Sequence, residues 1–124
     1  MRHLLLLLFL IPFLASCATP RPAPGAFESA EQRIEAAVAA GAEEHSPVEL
    51  RFAREKLAEA RKGMEERYNQ PEKSIYLIEQ SEINSELAIE KSKAAEARAK
   101  VTDLARQNAV LLEDFEATYG EGLQ

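Results

Sequence analysis

Scarcity sets the first bounds on this 124-residue chain, which has one cysteine, no tryptophan, two histidines and only 6% aromatic residues. A single cysteine closes no intramolecular disulfide, so no covalent staple is expected. Histidine and cysteine are too few and too scattered for the ordinary transition-metal sites. Glycine-rich phosphate loops are absent, and no cofactor is expected. A basic excess is lacking too: the formal net charge is -6, which argues against nucleic acid as a partner, because that affinity rests on Lys and Arg neutralising phosphates. Hydrophobic residues make up 46%, but many lie in the first fourteen positions or are alanines, so the expected core is modest.

What is present begins with a leader. Arg2 supplies a positive charge, and Leu4 to Leu14 form an apolar run of about eleven residues, the length of a secretory signal and too short to span a bilayer. Leu14-Ala15-Ser16-Cys17 then resembles the bacterial lipobox. That resemblance implies removal of residues 1–16, with cleavage between Ser16 and Cys17, and lipid addition at Cys17. Several acyl chains there make attachment effectively permanent. Ala18, rather than Asp, follows the cysteine. By resemblance to the sorting rule of Gram-negative lipoproteins, this implies the outer membrane, with the body facing the periplasm. Thr19 to Gly25, TPRPAPG, is rich enough in proline to be extended, so residues 17–26 read as lipidated cysteine and tether.

Beyond the tether the pattern is helical. Phe27, Ala30, Ile34, Ala37 and Val38 recur at three and four, predicting a helix over 27–40 that Gly41 stops. Ser46-Pro47-Val48-Glu49 reads as a capping box with proline at the first helical position. It opens a helix over 47–68 with Leu50, Ala53, Leu57, Ala60, Met64 and Tyr68 on one face. From Pro71 no glycine or proline recurs before Gly120, predicting a helix over 71–118. At 1.5 Å per residue it measures about 70 Å against about 33 Å for its predecessor, so its end must protrude. In its first half Tyr76, Leu77, Gln80, Ile83, Leu87, Ala88, Ala94 and Ala95 read as one wide buried face. In its second half Val101, Asn108 and Phe115 share one heptad position, and Ala97, Leu104 and Leu111 the other. A lone Asn at an apolar heptad position sets register and oligomeric state. Val101, Leu104, Asn108, Leu111 and Phe115 are therefore the candidate interface for another copy or another protein, and residues 120–124 are expected to be disordered. The expected class is all-α: a short three-helix bundle or hairpin with a long protruding C-terminal helix carrying a coiled-coil pattern.

Ala40 to Ala60, AGAEEHSPVELRFAREKLAEA, resembles the hallmark of the family called domain of unknown function 4398. It matches at Gly41, Pro47, Leu50, Ala53, Leu57 and Ala60, and the likeness spans roughly residues 27 to 100. The resemblance implies a small helical envelope protein of Gram-negative bacteria and brings no catalytic residues. The third helix here carries more Ile, Ser, Asn and Glu than the family's usual alanine run, and no peptidoglycan-binding domain is read after it.

Little in the helices suggests chemistry. Once the leader is removed His45 is the remaining histidine, placed in a turn, and a triad with Ser46 or Ser74 would still need an oxyanion loop. Glu79, Glu82 and Glu86 line one face at spacings of three and four. With Lys73, Lys91 and Lys93 nearby they read as a solvated, partly paired face. The expectation is a non-enzymatic, outer-membrane-anchored scaffold or adaptor of the cell envelope. The alternatives are a ligand- or lipid-binding carrier, with a groove between the second and third helices, and a recruiting cofactor for a cell-wall enzyme.

Overall fold

The computed structural model describes residues 20–65 and 67–120. The chain is all-α, and the described residues form four helices: α1 (Ala26–Ala39), α2 (Ala42–His45), α3 (Pro47–Gly63) and α4 (Pro71–Tyr119). No strand occurs among the described residues. The leader, the cleavage and lipidation positions Ser16 and Cys17, and residues 121–124 of the expected tail lie outside them.

Proline keeps residues 20–23 out of any helix, and Gly25, at φ 82°, turns the chain into α1. The three-and-four spacing of α1 buries Ala30 and Ala37 completely, with Phe27, Ile34 and Val38 packed around them. Gly41 ends this segment at φ 78°, a left-handed conformation that costs other residues roughly 1–2 kcal/mol. Its N–H donates to the Val38 carbonyl at 2.9 Å. The chain then makes one unanticipated helical turn, α2, before Pro47 opens α3 at a position where a missing N–H costs nothing.

The capping box is not formed. The Ser46 side chain makes no cap hydrogen bond. It is buried against α4, where its hydroxyl donates to the Ala88 carbonyl and shares a hydrogen bond with the Ser92 hydroxyl, both at 2.8 Å. Glu49 reaches across to Lys91 instead. The tertiary partners of both residues outcompete the local exchange.

α3 also stops at Gly63, short of Tyr68. The chain turns through Asn69, at φ 42°, and the Gln70 N–H returns to the Gly63 carbonyl at 2.8 Å. Met64 is only half-buried and Tyr68 is exposed. The Tyr68 ring lies beneath Lys62 and Arg67, 5.4 and 5.8 Å from its centroid. The buried face of α3 is Leu50, Ala53, Leu57, Ala60 and Gly63.

α3 and α4 run antiparallel along a seam of hydroxyls and alanines. Ser74 donates to the Ala60 carbonyl at 2.9 Å and Ser81 to the Ala53 carbonyl at 2.8 Å. With the Ser46–Ala88 bond, each step of seven along α4 meets a step of seven back along α3, so the register repeats three times. Ser74, Ser81, Ser85 and Ser92 are completely buried. Such small side chains let the helices approach closely. A Cβ on Gly63 would stand 2.5 Å from the Ser74 hydroxyl. Leu50, Leu57, Leu77 and Ile78 fill the space between seam and α1, each contributing about 1.5–3 kcal/mol by burial.

This seam corrects the wide face expected of α4. Its buried residues are Pro71, Ser74, Leu77, Ile78, Ser81, Ser85, Ala88 and Ser92, while Tyr76, Ile83 and Leu87 are exposed. Leu77 and Ala88 are buried as expected, but a serine whose hydroxyl reaches a carbonyl buries at little cost, so a search for apolar residues alone misses the serines and draws in residues from the outer side.

α1 lies parallel to α4, tied by Ser29 donating to Glu82 at 2.9 Å and by Arg33 facing Glu82 at 3.5 Å and Glu86. Gly25, the α3–α4 turn and the start of α4 therefore share one end of the bundle. The opposite end closes at Gly41 and His45, near Glu96. α4 continues past it alone.

Candidate interaction surface

α4 has 49 residues, about 73 Å at 1.5 Å per residue, and from Ala97 to Tyr119 almost every side chain is exposed. Ala94, Ala95, Ala97 and Ala99 favour helix, and local bonds support it. Asp103 accepts from Arg106 and, at 2.7 Å, from Gln107. Thr102 donates to the Arg98 carbonyl at 3.0 Å. The Phe115 and Tyr119 rings meet with centroids 5.0 Å apart.

The candidate interface residues all lie on this free half. Val101 is 67% exposed, Leu104 48%, Leu111 64% and Phe115 59%, and Asn108 is exposed among them. Successive helical residues advance by about 100°. The buried set from Ser74 to Ser92 and this apolar set thus occupy nearly opposite sides of α4. Counting back by sevens from Leu104 reaches Ile83 and Tyr76, and from Val101 reaches Leu87. Those three exposed residues continue the stripe along the back of the bundled half. The heptad count that groups Val101 with Leu104 joins these three to the same stripe, and their exposure in the structure shows that it faces outward rather than into the core.

Charge divides the free half. Arg98, Lys100 and Arg106 outnumber Asp103 towards the bundle, whereas Glu113, Asp114 and Glu116 make the far end acidic.

The bundled half offers less. The Ser46 hydroxyl is committed to α4, while His45 is exposed and Ser74 sits near Gly63 at the other end. The triad candidates are thus not brought together. Glu82 and Glu86 face Arg33 rather than the three lysines. Lys73 pairs with Glu59 at 2.7 Å, Lys91 with Glu49, and Lys93 with Glu90 at 2.8 Å. The Lys91 hydrogen bond holds the Glu49 carboxyl below its usual range, and the Lys73 hydrogen bond does the same to Glu59. Among the described residues no group of three or more His, Cys, Asp or Glu is placed to hold a metal ion. Also among them, no helix is long and apolar enough to cross a membrane. An open cleft of about 330 Å³ between α1 and α3, bounded by Glu31, Ile34, Arg54 and Arg61, is crossed at its edge by the Arg61–Glu31 pair.

The family model described as Domain of unknown function (DUF4398) matches residues 25–104. That range takes in the bundle, Val101 and Leu104, and leaves Asn108, Leu111 and Phe115 beyond it. No curated protein and no solved structure matches the chain.

Proposed function

The chain belongs to the DUF4398 family, and we propose that it works as a non-enzymatic lipoprotein, held on the outer membrane through Cys17 and facing the periplasm. In this reading the bundle is a spacer, and the free half of α4 binds another component of the envelope. The observation that carries the reading is the polarity of the fold. The chain enters at the end shared by Gly25 and the α3–α4 turn, whereas the exposed apolar stripe projects from the opposite end. From Lys93 to Tyr119 the helix reaches about 40 Å. An anchor at Cys17 would therefore direct the stripe away from the lipid. Exposed apolar surface of this extent is the usual mark of a contact with another chain.

A carrier would need an opening between α3 and α4, where Ser74, Ser81 and Ser85 are completely buried. A recruiting role towards a cell-wall enzyme uses the same free helix and differs only in the partner's identity.

Two measurements test the proposal. Intact mass of the protein from membranes should show cleavage before Cys17 and acyl chains added there; a free thiol at Cys17 refutes the anchor. Crosslinking in intact cells should give adducts through residues 97–119 that are lost when residues 97–124 are deleted. Unchanged adducts from the truncated chain refute the assignment of the binding element.

A further inference from the structure

The free stripe also carries information about its own complement. We propose that it pairs with a second copy of this chain, antiparallel, about a two-fold axis near Arg106. This inference rests on the reading of α4 as the interaction element and adds the partner and its direction.

Charge is the first ground. In a heptad pair whose core is formed by the Val101 and Leu104 positions, Lys93, Lys100, Gln107 and Asp114 fall on one flank. Antiparallel pairing about the axis sets Lys100 of each copy against Asp114 of the other, and the two Gln107 side chains against each other. A parallel pair instead sets Lys93 against Arg98, and leaves Lys100 and Asp114 opposite Ala105 and Tyr119. The basic and acidic ends of the free half are thus complementary to each other and repulsive to themselves.

Volume is the second ground. Antiparallel layers match Ala97 with Phe115 and Val101 with Leu111, in each a smaller side chain against a larger one, and Leu104 with Asn108 on either side of the axis. Parallel layers stack Phe115 on Phe115 and Ala97 on Ala97, crowding one level and leaving another empty, and both are costly. Asn108 lies close to the axis, where Gln107 of the other copy offers an amide partner.

Nothing in the bundle obstructs this pairing, because α1 and α3 cover the opposite side of α4. Each copy then presents its Pro71 end outward, the two about 105 Å apart, so the dimer is a long brace with a bundle at either end; anchored at both ends on one membrane it lies along the surface, whereas a single copy stands away from it. The overlap is only about three heptads, and the association is expected to be reversible and concentration-dependent.

The test is sedimentation of the full chain in density-matched detergent, with circular dichroism to check that each variant keeps its helix. Lys100→Glu and Asp114→Lys each turn two attractive pairs into repulsive ones and should weaken the dimer about 10-fold. Combined, they restore opposite charges and should return affinity to near the parent value. A monomer at every concentration overturns the inference, as does a dimer that the combined variant fails to rescue. If the chain stays monomeric while residues 97–119 still crosslink to a different protein in cells, the inference fails and the proposed function stands.

Discussion

Replacing Ser81 by Leu adds apolar volume to the middle of the seam and should nonetheless destabilise the protein. Ser81 is completely buried, and its hydroxyl donates to the Ala53 carbonyl at 2.8 Å. Leucine forfeits that bond, worth about 1 kcal/mol. It also forces extra carbons between helices that approach over Ala53 and Ala60, and overpacking of this kind costs about 1–3 kcal/mol. The expected loss is about 2–4 kcal/mol. On a domain of this size it lowers Tm by roughly 10–30 °C. Ser81→Ala isolates the hydroxyl. The Ala53 carbonyl keeps its own intrahelical donor, so nothing is left unsatisfied, and the loss should stay near 1 kcal/mol. Urea and thermal melts followed at 222 nm measure both variants. A leucine variant as stable as the parent, or more so, would refute the close hydroxyl seam and favour a looser core of ordinary apolar packing.

Gly63→Ala should cost about 1–2 kcal/mol despite its better helix propensity, because the new Cβ would stand 2.5 Å from the Ser74 hydroxyl. Adding Ser74→Ala removes the obstructing oxygen and should recover part of the loss, a coupling that a double-mutant cycle in urea would reveal. Stability should also depend on pH in one direction. The carboxyls of Glu49 and Glu59 titrate below the ordinary value of 4.5 in the folded protein. The stability they contribute is therefore complete above about pH 4.5 and lost as pH falls through their lowered folded values. Melts from pH 7 down to pH 3 should stay level and then decline below about 4.5, with a shallower decline in Glu49→Gln/Glu59→Gln. A decline that begins near neutrality would count against these pairs as its source.

The helical segments were legible because their signals are local. Alanine and leucine recur at three and four, Gly41 and Asn69 take left-handed turns, and Pro47 and Pro71 suit first helical positions. Local signals also misled. Ser46 and Glu49 have the spacing of a capping box, yet the Ala88 carbonyl and Lys91 claim their side chains across the seam. Tyr76, Ile83 and Leu87 look like core because they are large and apolar, yet α4 turns them outward. Its serines face inward because a hydroxyl can close on a carbonyl where the backbones come near. The candidate interface was found by the period of seven, and that period alone does not distinguish a stripe packed inside the bundle from one left outside.

By itself, then, the sequence determined an all-α chain, the length by which α4 outruns α3, and the heptad spacing from Ala97 to Phe115. Each follows from residue periodicity and a fixed rise per residue. Only the tertiary structure decided which side of α4 meets α3 and which is left open, because that choice depends on Ala53 and Ala60 offering carbonyls to Ser81 and Ser74 across a gap no wider than a serine.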